Sequence, residues 1–123
     1  GDAGVDLYAR TDATIEAGER ALVPNGIAIA LPVGYVALIV PRSSLALKQG
    51  GTLLNSPGVI DAGYRGELCS IVHNAGNELL EIGRGDRIAQ LLVMEMPDVT
   101  LTEVDSLPGT QRGHGGFGST GRM

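Results

Sequence analysis

Glycine and proline punctuate this chain so densely that a long helix has almost nowhere to sit. The longest stretch free of both runs from Val5 to Ala17, and the next from Asp86 to Met96. Both residues weaken helix interiors, glycine through backbone entropy and proline through its missing N–H. Between these breakers lie short apolar runs: Ile27 to Leu31, Tyr35 to Val40, Leu68 to Val72 and Ile88 to Met94. In the first, Ile27, Ile29 and Leu31 alternate with alanines, the period-two pattern of a half-buried strand. The second is apolar on both faces, as expected of a strand sandwiched inside a core. Many short strands separated by turn residues predict an all-β fold, whether sandwich, jelly roll or barrel. One segment, Ser43 to Gln49, predicts a helix of about two turns, with serine as N-cap and glycine beyond its end. No internal repeat is present.

The 123 residues suffice for one domain with a single core, and a hydrophobic share of 43% argues against disorder. No apolar run is long enough to cross a bilayer, and no basic-then-apolar leader opens the chain. It starts Gly-Asp-Ala without an initiator Met, as a processed or truncated piece does. The net charge of −5 speaks against a nucleic-acid polymer as ligand, because duplex binding calls for a broad basic field. A small phosphorylated ligand, needing only a few local donors and a divalent cation, remains compatible. The single cysteine, Cys69, can form neither an internal disulfide nor a cysteine zinc site, so a reducing cytoplasm is the expected setting. Residues 109–123 are glycine-rich with little to bury and are expected to form a mobile arm beyond a β domain of residues 1–108.

Five segments carry side chains suited to chemistry. In the arm, Arg112-Gly-His-Gly-Gly-Phe-Gly-Ser-Thr-Gly121 combines exposed N–H groups, a permanent cation and the hydroxyls of Ser119 and Thr120. Its Phe117 is the only phenylalanine, and an aromatic ring in a loose glycine segment is costly unless it stacks, for instance on a base. An inert end and a ligand-closing arm are about evenly matched on composition, with Phe117 and Arg112 favouring the latter. A Walker-type loop is excluded, because no Gly-Lys-Ser/Thr occurs. At Pro41-Arg-Ser-Ser-Leu-Ala, the helix start carries Arg42, Ser43 and Ser44, a possible phosphate site. Taken alone it is more commonly a plain serine cap beside a surface arginine. In Asn55 to Glu67, Asp61 stands at the end of an apolar pair, where it can act as general base for a water or merely cap the bend. Tyr64 after it can cover a sugar or be a half-buried turn residue. Asp6, in Ala3-Gly-Val-Asp-Leu-Tyr-Ala9, must face water, an arginine or a metal-bound water, since an unpaired buried carboxylate is costly. An outward edge position explains it equally well. Gln90, in Gly85-Asp-Arg-Ile-Ala-Gln-Leu91, needs a partner for its amide, structural or ligand. His73 and His114 are too isolated for a metal pair or catalytic dyad.

In this order and spacing the segments 3–9, 41–46, 58–66, 85–91 and 112–121 resemble the five motifs of the homotrimeric dUTPase family, in a bacterial-like form, over nearly the whole chain. The resemblance implies a jelly-roll-like β domain with one short helix, assembled as a trimer whose three sites each draw on all subunits. It implies Mg²⁺-dependent hydrolysis of dUTP to dUMP and pyrophosphate, which keeps uracil out of DNA and supplies dUMP for thymidylate synthesis. By the same resemblance Asp61 activates the attacking water, and Asp6 holds waters of the Mg²⁺. Arg42, Ser43, Ser44 and Gln90 fall on the phosphate side. Asn55 and backbone at Val59 read uracil, Tyr64 packs under the deoxyribose, and Phe117 stacks on the base. Arg112, Gly118, Ser119 and Thr120 meet the terminal phosphates as the arm closes a neighbouring subunit's site.

The chain departs from the family pattern at Ser44, where glycine is common, and at His114, where an acidic residue is frequent. It also opens directly on the first motif, so an N-terminal strand is expected to be missing. A dCTP deaminase shares the fold and the Arg-Ser-Ser-Leu-Ala segment. Its proton-shuttling glutamate would fall on Ile71, which cannot do that work. A non-catalytic dUTPase-like nucleotide-binding regulator would be marked by loss of the aspartates or the arm, and both are kept.

Overall fold

The structure is a computed structural model that describes residues 1–121. Nine short strands and one helix follow in the order β1 (Val5–Tyr8), β2 (Ala13–Ile15), β3 (Arg20–Pro24), β4 (Tyr35–Val40), α1 (Ser43–Gln49), β5 (Gly51–Leu53), β6 (Gly58–Ile60), β7 (Cys69–Asn74), β8 (Leu80–Ile82) and β9 (Arg87–Glu95). They form a four-stranded sheet in the order β1-β9-β4-β6, a three-stranded sheet β3-β7-β5 and a two-stranded ribbon β2-β8, all paired antiparallel. The expected all-β architecture is present, and the sheets remain open rather than closing into a barrel.

The core lies between the sheets and is built by alternation along each strand. Leu7, Ala37, Ile39 and Leu91 from the four-stranded sheet meet Val23, Leu53 and Val72 from the three-stranded one, with Ile15, Leu80 and Ile82 from the ribbon. Three polar residues, Asn25, Ser70 and Asn74, are buried among them with their bonds satisfied, as a low-dielectric interior demands. Asn74 donates through Nδ2 to the carbonyls of Ile15 (2.9 Å) and Glu78 (2.7 Å), while its Oδ1 accepts the Gly76 N–H (3.0 Å). Asn25 donates to the Tyr8 carbonyl (3.0 Å) and accepts from Ser70 Oγ (3.1 Å).

The helix falls on the expected residues, but its serines do not cap it. The N-cap is Arg42, in an extended conformation with no side-chain cap bond, because Pro41 ends β4 one residue earlier and the chain enters the helix without a turn in which serine could reach back. Its end is as expected: Gly50 is left-handed (φ 69°) and its N–H closes on the Ala46 carbonyl. Leu45, the buried residue of the helix, packs so closely on Gly51 that a Cβ there would lie 2.9 Å from Leu45 Cγ.

Two strand expectations need correction. Ile27 to Leu31 is not a strand. Ile29 and Leu31 do pack against the core, but no strand pairs along this run, and the Leu68 N–H bonded to the Ile27 carbonyl (2.8 Å) tethers it instead. A period-two pattern reports which side chains are covered, not whether a neighbouring backbone is available. Nor is β4 sandwiched. Ala37 and Ile39 are buried, whereas Val36, Leu38 and Val40 face outward and remain half-exposed. With Val59, Leu92 and Met94 in register beside them, they form an apolar outer face that none of the described residues covers.

Candidate active site

The side chains suited to chemistry gather at two corners of the four-stranded sheet. At the first, Asp6 on β1 stands opposite Gln90 on β9, which stands opposite Val40 on β4. Since Pro41 stops β4 at that level, Arg42 is delivered to the same corner. Its Nε lies 3.2 Å from Asp6 Oδ1, and Arg87 Nη1 lies 3.5 Å from Oδ2. Arg42 Nη1 also donates to Ser44 Oγ (3.3 Å) and to the Arg87 carbonyl (3.2 Å). Gln90 Nε2 donates to the Pro41 carbonyl (3.0 Å), and a Cβ at Gly4 would overlap the Gln90 amide oxygen. The corner therefore works as a frame: one carboxylate orients two guanidinium groups, and the glycine lets the strand lie against the amide. Beside it a cleft of about 410 Å³ is lined by Arg42, Ser44, Lys48 and Arg87, with Glu81 and Asp86. Three cations in a partly desolvated cleft suit a polyanion. Ser43 is the first helical residue and is exposed.

The second corner lies at the far edge of the sheet, where β5 and β6 flank an exposed tip. Asn55 is in that tip, and a Cβ at Gly58 would sit 3.4 Å from Asn55 Nδ2, in ordinary van der Waals contact. Val59 is exposed on β6 and Asp61 follows the strand directly. Asp61 does not cap the bend with its side chain: the turn closes through the Tyr64 N–H bonded to the Asp61 backbone carbonyl (3.1 Å). Its carboxylate is exposed and makes no hydrogen bond or ion pair among the described residues. It lines a cavity of about 540 Å³ with Val33, Tyr35, Val59, Ala62 and Met96, a volume ordinary for a small-molecule site. Tyr64 is 44% exposed and donates its hydroxyl to the Glu67 carbonyl (3.0 Å).

Residues 109–121 of the arm make no hydrogen bond to either corner. Their hydrogen bonds are local, including Arg112 Nε to the Gly115 carbonyl (2.6 Å) and the Ser119 N–H to the Gly116 carbonyl (3.0 Å). Phe117 is fully exposed, with Gly118 and Thr120 exposed beside it, and it is the one described non-glycine residue with positive φ (50°). His114 is exposed there, whereas His73 is half-buried with Nδ1 at 3.1 Å from the Glu19 carbonyl, a structural contact. Ile71 pairs with Leu22 across β3 and β7, in a setting without acid–base chemistry. Burial, followed by the nearby Glu67 charge, pushes the Cys69 thiol above its ordinary pKa, which suits a protonated sulfur rather than a nucleophile.

The separation of the two corners is decisive. Three inter-strand steps from β1 to β6 amount to roughly 14 Å, and four residues of offset along β4 add about as much in the other direction. Asp6 and Asp61 thus stand about 20 Å apart, and the sheet between them presents Val36, Leu38, Val40 and Leu92. A polyanion laid across that apolar stripe would find no donors.

Sequence reasoning gave no role to Arg87 or to the Arg10–Glu67 pair. For Asp6, an acid inside an apolar strand, the sequence left water, an arginine or a metal-bound water open, and only strand register shows that Arg42 and Arg87 meet it. Among the described residues no group of three or more His, Cys, Asp or Glu could cage a metal.

A family model described as dUTPase matches residues 1–121. The chain is 55% identical over 122 residues to the deoxyuridine 5'-triphosphate nucleotidohydrolase of Rhodococcus erythropolis, covering 98% of this chain and 74% of that protein. It is 52% identical over 122 residues to the enzyme of the same name from Leifsonia xyli subsp. xyli, covering 98% and 80%. Among solved structures it resembles a variant of the Staphylococcus bacteriophage 80alpha dUTPase with dUpNHpp (TM-score 0.92, 27% identity, 98% and 87% covered). It also resembles a variant dUTPase from phage phi11 of S. aureus in which a structural Mg(II) ion is coordinated (TM-score 0.81, 25% identity, 88% and 86% covered).

Proposed function

The chain belongs to the dUTPase family, and from that membership we infer that it hydrolyses dUTP to dUMP and pyrophosphate, with Asp61 as the base. The observation that carries the reading is the Asp61 carboxylate, unpartnered among the described residues, beside a nucleotide-sized cavity. Such a carboxylate can take a proton from a water as that water attacks the α-phosphorus. On the other corner, Arg42 and Arg87 offer the charge that a phosphoryl transition state needs, with Gln90, Ser43 and Ser44 beside them. Asp6 keeps the two guanidinium groups aimed before substrate arrives, so little reorganisation is left to the reaction.

The donor set fits Mg²⁺ held through water. Asp6 is a partly exposed carboxylate, as suits an ion that keeps its water shell and takes one carboxylate plus substrate phosphates. When bound, Mg²⁺ neutralises triphosphate charge. At the base end, Asn55 and the Val59 backbone would read the uracil edge. Tyr64 would lie under the deoxyribose, leaving no partner for a 2′-hydroxyl. Residues 109–123 would form the closing arm, with Phe117 on the base and Arg112, Gly118, Ser119 and Thr120 on the phosphates; of these residues the last two lie outside the described ones.

Two observations support a homotrimer with shared sites: the uncovered apolar outer face, and the 20 Å scale of the gap between Asp6 and Asp61, which two corners from different subunits would close. The proposed setting is the cytoplasm, where a lone thiol stays reduced; among the described residues no helix is long and apolar enough to cross a membrane.

A pyrophosphate-release assay with Mg²⁺ on dUTP, dCTP, dTTP and UTP tests the activity. Only dUTP is expected to turn over, and ammonia from dCTP would favour a deaminase instead. Subunit mixing tests the shared site. Asp61→Asn and Arg42→Ala chains, each inactive alone, should regain part of the activity after unfolding and refolding together, because some sites then collect both native residues. No recovery would mean that both residues serve within one chain.

A further inference from the structure

We propose that Gly66 and Glu67 are positioning residues that set sugar specificity, by fixing the plane in which the Tyr64 ring lies. This rests on the reading of Tyr64 as the floor beneath the deoxyribose. The ring folds back over its own turn. A Cβ at Gly66 would stand 2.5 Å from the Tyr64 hydroxyl oxygen and 2.7 Å from Cζ, so only glycine leaves that space. Gly66 is not among the residues with positive φ, which means that backbone conformation does not require a glycine here. What requires it is the ring. The hydroxyl is then tied by its bond to the Glu67 carbonyl (3.0 Å).

Residue 67 is in turn a fixed point. Its carboxylate accepts Arg10 Nε (2.9 Å) and Nη2 (3.5 Å) and the Gly26 N–H (2.9 Å). The next residue is stitched to the same strand end from both sides, by the Leu68 N–H to the Ile27 carbonyl (2.8 Å) and the Asn25 N–H to the Leu68 carbonyl (2.9 Å). An exposed pair such as Arg10–Glu67 contributes little to stability, because water and salt screen it. What it supplies is geometry: it joins the segment after β1, the segment after β3 and the 61–67 turn at one carboxylate. Tyr64 thereby rests on an anchored base, with one side backed by Gly66 and the rest of the ring exposed to meet a sugar. A floor free to tilt would make room for a 2′-hydroxyl.

The test compares kcat/KM for dUTP and UTP, together with thermal midpoints, in the native protein and in Gly66→Ala, Glu67→Ala, Glu67→Gln and Tyr64→Ala. Gly66→Ala displaces only the end of a ring, so it should fold and melt as the native protein does. Its UTP-to-dUTP ratio should rise about tenfold or more, the scale on which a pocket distinguishes one small group. Glu67→Ala should raise the ratio similarly. Glu67→Gln keeps an acceptor for the Gly26 N–H and should fall between Glu67→Ala and the native protein. If Tyr64→Ala raises the ratio while Gly66→Ala and Glu67→Ala leave it unchanged, the positioning proposal is overturned and the role of Tyr64 stands. If Tyr64→Ala itself leaves the ratio unchanged, both fall.

Discussion

Replacing Asp61 by Asn will leave dUTP binding nearly intact and cut kcat about 10²- to 10⁴-fold, the range over which a positioned general base contributes. The substitution is isosteric and the native carboxylate holds no structural partner, so the turn, closed by the Asp61 backbone carbonyl, loses nothing. What disappears is a basic oxygen at the mouth of the cavity bounded by Val59, Ala62 and Met96. Single-turnover pyrophosphate release measures the chemical step, and calorimetry with a non-hydrolysable analogue measures binding. Turnover at the native rate would remove Asp61 from the mechanism. Loss of binding in proportion to rate would make it a substrate contact instead.

Ending the chain before Arg112 should lower kcat/KM by about 10²- to 10³-fold, comparable with the removal of a preorganised electrostatic donor. The fold should not notice. The arm's hydrogen bonds close on themselves, and Phe117 buries nothing within the chain. Far-ultraviolet circular dichroism and the melting midpoint should therefore be unchanged. Phe117 sharpens the expectation: positive φ on a bulky residue costs about 1–3 kcal/mol and persists where something holds it, and the stacked base is the proposed holder. An arm-less chain of full activity would leave the glycine-rich segment without a catalytic role, and one that melts early would make it part of the fold.

How much the sequence disclosed depended on whether the relevant physics was local. Gly50 as the helix end and Pro41 as the stop of β4 are decided by neighbours in the chain, and each was readable; the alternation of β7 was not, because it buries Ser70 and Asn74 and leaves Ile71 half-exposed. The strand that Ile27 to Leu31 was expected to form is different, because pairing needs a second backbone whose position no local pattern encodes. The serine cap failed for a related reason: two serines at a helix start offer the chemistry, but Pro41 sets where the chain enters. Asp6 and Asp61 were both singled out as carboxylates in need of a purpose. That one aims a pair of arginines while the other stands alone is a fact of sheet register, since Gln90, Val40 and Arg87 are distant from both in sequence. The apolar outer side of β4 was visible as hydrophobicity and misread as interior.

On the proposed shared-site reading, placing Asp6 and Asp61 at opposite corners of one sheet also ties chemistry to abundance. A protomer newly released from the ribosome would carry the proposed reactive groups without a complete set within reach of one nucleotide. Catalysis would then begin only at encounter, so scarcity would silence the chain more steeply than in simple proportion, and a stray unassembled copy would do no harm to the nucleotide pool around it.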